Sequence, residues 1–205
     1  MHEFGHVLHG VLSHADYNPH AGTSVMRDFV EAPSQMFEEW ARREQTLALF
    51  KKVCPECPQL SADEIKRLDE ARKYGKGIQY ARQWIYAAYD MSLTSAKPEP
   101  AMAVWQRMES DTPLGFVDGT LFPAAFSHIA GGYAAGYYGY MWSEVLALDM
   151  LSAFGNNLLD PKVGKRYRDT ILAQGGQRHP AKMVKDFLGR KPNSKAFFAE
   201  ITGTR

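Results

Sequence analysis

The chain opens with His2-Glu3-Phe4-Gly5-His6, and two histidines four residues apart can act on one ion only if the segment carrying them is helical. Each helical residue advances about 100°, so side chains four apart lie about 40° from one another on one face, about one turn apart along the axis. Both rings can then grip a single metal. Glu3 is rotated off that direction, where a carboxylate reaches a water beside the ion without binding the ion itself, the position of a general base. Val7, Leu8, Val11 and Leu12 continue an apolar helical stripe, which predicts a first helix over 2–13.

A catalytic zinc takes three protein ligands and leaves a fourth position for water. Glu31 is the candidate third ligand. It stands in Phe29-Val30-Glu31-Ala32-Pro33-Ser34-Gln35, and a proline suits the first turn of a helix, so the carboxylate would come from a second helix packed on the first. Glu38 and Glu39 are rivals, but a turn or more past Pro33 they read as that helix's solvated face. The longer HExxHxxGxxH pattern needs glycine and histidine where this chain has His9 and Leu12, which excludes that branch. The chemistry expected from such a site is peptide hydrolysis with one zinc ion.

With 45% hydrophobic residues in a chain of 205, a sizeable core and a single domain over 1–205 are expected. A net charge of +1 without a basic run gives no footprint for nucleic acid or an anionic membrane, so neither is expected as a partner. No apolar stretch reaches the length of a membrane span, and His2 and Glu3 interrupt any secretion signal, which makes the cytoplasm the expected location. Cys54-Pro55-Glu56-Cys57 has no second cysteine pair, and prolines at 55 and 58 mark it as a turn between helices, so it reads as a structural turn, with a labile local disulfide as the alternative.

Periodicity predicts an all-α, mainly helical fold. Helices are expected over 33–52, from the Ser61/Glu64 capping box to Gly75, over 78–93 and 101–109, from Phe122 towards His128, over 140–154 and 161–173, and in two short segments at 181–188 and 194–201. Between two of these lies a run from His128 to Tyr140 that holds four glycines and four tyrosines. Glycine permits close backbone approach and tyrosine offers an apolar ring with a hydroxyl donor, a combination suited to a loop that closes over a peptide and stabilises an oxyanion.

Taken together, HEFGH, DFVEAPSQ (28–35), Ser127-His128 with AGGY (130–133), YYGYMWSE (137–144) and PKVGKRYR (161–168) resemble the thimet oligopeptidase family of zinc metallopeptidases, over essentially the whole chain. The resemblance implies the multi-helix carboxy-terminal part of a zincin-like oligopeptidase catalytic domain, acting on short peptides within a narrow channel. It makes His2, His6 and Glu31 the ligands of one Zn2+ and Glu3 the catalytic base and proton shuttle. It also gives His128, Tyr133 and Tyr140 substrate contacts or transition-state stabilisation, with Tyr140 the preferred oxyanion donor. Tyr137 becomes a substrate contact, Tyr138 a structural tyrosine, and Arg27 or Asp28 a residue that orients the ligands. Because the likeness reaches only the carboxy-terminal part of longer proteins, apolar surface left uncovered is expected to favour self-association. The alternative is an inactive helical module that keeps a peptide-contacting surface.

Overall fold

Residues 1–204 are described by a computed structural model, and among them the regular structure is helical with no strand. In chain order the helices are α1 (His2–Val11), α2 (Ala32–Glu38), α3 (Glu44–Val53), α4 (Ala62–Lys73), α5 (Lys76–Leu93), α6 (Ala101–Ser110), α7 (Phe122–Ala125), α8 (Ser127–Ala130), α9 (Gly139–Leu151), α10 (Pro161–Thr170), α11 (Pro180–Leu188) and α12 (Lys195–Ile201).

Local chemistry sets most boundaries. Ser61 and Glu64 form the reciprocal capping box at the start of α4. Asp160 accepts from the Lys162 and Val163 amides and opens α10 at Pro161. Gly75 (φ 71°) and Gly189 (φ 70°) take the left-handed conformation that lets the chain turn after α4 and α11. The Cys54-to-Cys57 turn, read from sequence first as a plain loop, is closed by a disulfide between its two cysteines.

The helix expected over 33–52 is broken: α2 ends at Glu38, a 3-10 turn covers Glu39–Arg42, and Arg43 is extended before α3 begins. Glu39, read as solvent-facing, is only 3% exposed. A buried carboxylate needs cationic partners, and Glu39 has Arg42 and Arg43 at 3.4 and 2.5 Å, with Arg72 of α4 at 3.6 Å.

The largest core packs α2 against α9, α10 and α11 through Phe29, Met36, Met150, Ile171, Met183 and Phe187. A second core is largely aromatic, with Tyr89, Trp105, Phe126 and Tyr137 stacked or edge-on around Ile85 and Val104. Burying each large side chain contributes about 1.5–3 kcal/mol. Tyr80, Leu148 and Phe197 join α12 to α5 and α9. Buried Asp149 then clamps the carboxy-terminal segment, accepting two bonds from Arg190 at 2.6 and 2.9 Å and one from the Asn193 amide at 2.8 Å.

Gly5 decides how closely α1 meets α2. A β-carbon there would lie 2.5 Å from the Ser34 α-carbon and 3.0 Å from the Pro33 oxygen, both backbone atoms that cannot swing aside. Gly5→Ala is therefore expected to push the two helices apart and lower the free energy of unfolding by about 1–3 kcal/mol. Chemical denaturation of the two proteins checks it; equal midpoints at equal slope would show that the contact tolerates a methyl group.

Candidate metal centre

α1 meets the start of α2 where glycine allows contact, and the side chains that converge there are His2 and His6 of α1 and Glu31, the residue before α2. The His6 Nε2 lies 3.1 Å and the His2 Nε2 3.2 Å from the same oxygen, Glu31 Oε2. The two rings meet edge to face with centroids 5.1 Å apart. One donor atom from each residue falls within 4.8 Å of the others, and this is the one such group of three metal-binding side chains among the described residues. Two ligands about 2.1 Å from a tetrahedral zinc lie about 3.4 Å apart, so the two nitrogen-to-oxygen separations suit that ion after a small adjustment. The donor set of two imidazoles and one carboxylate fits a zinc site that keeps an open position.

Glu31 is held from several sides. The Tyr133 hydroxyl donates to its Oε1 at 2.6 Å, and Ser34 Oγ donates to its Oε2 at 3.2 Å and to its backbone oxygen at 2.9 Å. Burial is the largest single influence on its ionisation and opposes it, yet the bonds from His6 and Tyr133 outweigh burial and hold the carboxyl down to about 2. His6 is raised, first by its bond to Glu31 and against burial, with the charge of Glu3 adding to the effect. Glu3 itself is solvent-exposed on α1.

The other expected residues line the approach. A cavity of about 400 Å³ has His2, Gln35, Glu38, His128, Tyr137 and Tyr140 in its wall. Tyr133 and Tyr140 stack at 5.2 Å, Arg27 lies 4.5 Å over the Tyr133 ring, and exposed His128 sits edge-on to Tyr133, Tyr137 and Tyr140. Burial, then the Tyr133 hydroxyl and the Glu31 charge, push the Tyr140 phenol upward, so it keeps its proton. Tyr137 is buried in the aromatic core with its hydroxyl donating to Gln83 at 3.2 Å. Tyr138, expected to be structural, is 39% exposed and lies beside Trp142 at the surface. Its neighbours at 137 and 139 take the inward positions.

Sequence reading missed four contributors. Buried Asp90 pins the tyrosine-glycine loop by accepting from the Ala135 and Tyr137 amides at 2.8 and 2.9 Å, which holds Ala135 at a φ of 55°. The only signal was one carboxylate in an otherwise aromatic helix. Gln35 donates to the Tyr140 backbone oxygen at 3.1 Å and Ser143 to that of Asp28 at 2.9 Å, which joins α9 to the Glu31 segment. Glu38, set aside as solvated, is bonded to His2 Nδ1 at 2.8 Å. Arg27 meets Tyr133, and no bond from Arg27 or the Asp28 side chain to a ligand is seen among the described residues.

The sequence profile of the family described as peptidase family M3 matches residues 1–203. The chain belongs to peptidase family M3. It is 34% identical to the thimet-like oligopeptidase of Dictyostelium discoideum, over 98% of this chain and 31% of that protein. It is 38% identical to the organellar oligopeptidase A, chloroplastic/mitochondrial, of Arabidopsis thaliana over 94% and 26%, and 34% identical to the oligopeptidase A of Escherichia coli (strain K12) over 96% and 30%. This M3 chain thus spans less than a third of the length of these curated relatives. Among its described residues no helix is long and apolar enough to cross a membrane.

Proposed function

We propose that this M3 chain is the zinc-holding part of an oligopeptidase that hydrolyses short peptides. The observation carrying the reading is the convergence of His2, His6 and Glu31 from two helices, beside a cavity whose wall includes His128 and Tyr140. The relatives' names support peptide cleavage. When bound, zinc would act as a Lewis acid that acidifies water and polarises the scissile carbonyl. In this reading Glu3 takes a proton from the attacking water and passes it to the leaving amine. Tyr140 donates to the developing oxyanion, which its retained proton allows, and His128 supports the same side of the transition state. Tyr137 contacts the substrate chain, and Tyr133, which donates to the Glu31 carboxylate, contacts the substrate or stabilises the transition state. A cytoplasmic setting completes the proposal, in keeping with a relative named as a probable cytosolic oligopeptidase A. Zinc content after purification, measured with hydrolysis of a quenched short peptide, tests the whole; a chain that takes up no zinc refutes it.

Zinc uptake should follow pH with a definite sign. An imidazole must lose its proton to bind metal, and His6 holds its proton above the ordinary 6.5 because Glu31 bonds the charged form. Affinity is expected to rise with pH below the His6 range, by about tenfold per pH unit for each ligand imidazole that must lose a proton, and to level off once both rings are neutral. Without metal the sign reverses: raised His6 contributes stability below 6.5, and lowered Glu31 contributes it above 4.5, so the pair stabilises the chain most between these values. Zinc titrations across pH check the first statement, and thermal midpoints of the metal-free chain against Glu31→Gln check the second.

One observation favours a second reading, an inactive module that self-associates. Phe4, Val7 and Val11 lie along one side of α1 at 51%, 51% and 70% exposure. Three apolar side chains at helical spacing form a stripe suited to another surface. Sedimentation is expected to show concentration-dependent association that Val7→Glu weakens. A monomer at high concentration would remove this reading, as would turnover by the isolated chain.

A further inference from the structure

We propose that Glu38 positions the His2 imidazole for the metal, with Arg42 steadying Glu38 in turn; this rests on the metal-site reading above. The contacts that the structure gives the His2 ring nitrogens come from Glu31 and Glu38, while Met1 before it supplies no side-chain bond. What holds it is α2. Glu31 and Glu38 are seven residues apart, two helical turns, and so face the same way. Glu31 Oε2 meets the Nε2 edge of the His2 ring at 3.2 Å, and Glu38 Oε1 meets the Nδ1 edge at 2.8 Å. A carboxylate accepting at Nδ1 fixes the proton on that nitrogen and leaves the Nε2 lone pair for a metal. The second Glu38 oxygen accepts from Arg42 at 3.1 Å, and that arginine also reaches buried Glu39.

The two histidines are supported differently. His6 Nδ1 is buried without a hydrogen-bond partner in the described structure, and this ligand lies in mid-helix next to the Gly5 contact. Packing can hold His6, whereas the His2 ring, with 32% of its side chain exposed, has the Glu38 carboxylate at its Nδ1 edge. The geometry also separates Glu38 from the ligands, because it meets the ring edge turned away from Glu31.

Competition titration with zinc itself tests the idea on the full chain. Glu38→Ala is expected to weaken zinc binding by about 10–100-fold, with Glu38→Gln intermediate because it keeps an acceptor and loses the charge. In the zinc-loaded chain, proton NMR should show a slowly exchanging downfield His2 Nδ1 proton that Glu38→Ala removes, a signal that general loosening of the fold would not select. If Glu38→Ala does not fold, the isosteric Glu38→Gln carries the comparison. Equal affinities with the proton retained overturn the positioning role alone. A parent chain whose zinc binding is absent, or indifferent to His2, His6 and Glu31, overturns the metal reading and this one with it.

Discussion

Glu3→Gln is expected to cut hydrolysis of a short quenched peptide by about 10²–10⁴-fold, the usual worth of general acid–base catalysis, while zinc stays bound. The two effects separate because Glu3 shares α1 with His2 and His6 but is absent from the group whose donor atoms converge. Exposed on α1, it is free to meet solvent and substrate, and its charge reaches His6 only through space. Glutamine keeps the size and polarity of glutamate and removes its ability to accept a proton at neutral pH. Zinc content and turnover measured on one preparation decide the matter. If turnover persists within a few fold of the parent, the proton is moved by another group; if zinc is lost too, Glu3 acts on the metal rather than on water.

Glu31→Ala is expected to weaken zinc binding by more than the roughly 100-fold that a supporting residue commands. It removes the atom on which both imidazoles converge, Glu31 Oε2 at 3.1 and 3.2 Å, and also the acceptor for the Tyr133 and Ser34 hydroxyls. In the metal-free chain the same change leaves His6 without the bond that raises it. Zinc binding and histidine titration should therefore both shift, and Glu31→Gln, which keeps the shape, should recover the packing without the affinity. A chelator competition that ranks Glu31→Ala within a few fold of the parent would mean that zinc sits elsewhere.

The convergence of the two histidines was legible because their spacing is a helical one and needs no partner to be recognised. Glu31 was legible through Pro33, which marks the start of α2. What pattern could not supply was the direction in which α2 continues. Glu38 and Glu39 occupy positions that a lone amphipathic helix turns to solvent, yet tertiary contacts with His2 and Arg72 claim both. The tyrosine-glycine segment was recognisable by composition, but its anchor, Asp90, stands on α5, far away in sequence and paired only with backbone amides. Gly5 was visible within the motif, while its role in seating α1 on Ser34 depended on the neighbouring helix.

X-ray absorption at the zinc edge of the metal-loaded chain tests the site most directly, since it reports the atoms bound without assuming any activity. The expected spectrum has only nitrogen and oxygen neighbours at about 2.0–2.2 Å, with the outer-shell scattering of two imidazole rings, and it loses one ring's signal in His6→Ala. Sulfur at about 2.3 Å would place the metal on Cys54 and Cys57 with their disulfide reduced, and an outer shell without imidazoles would contradict a centre built from His2, His6 and Glu31.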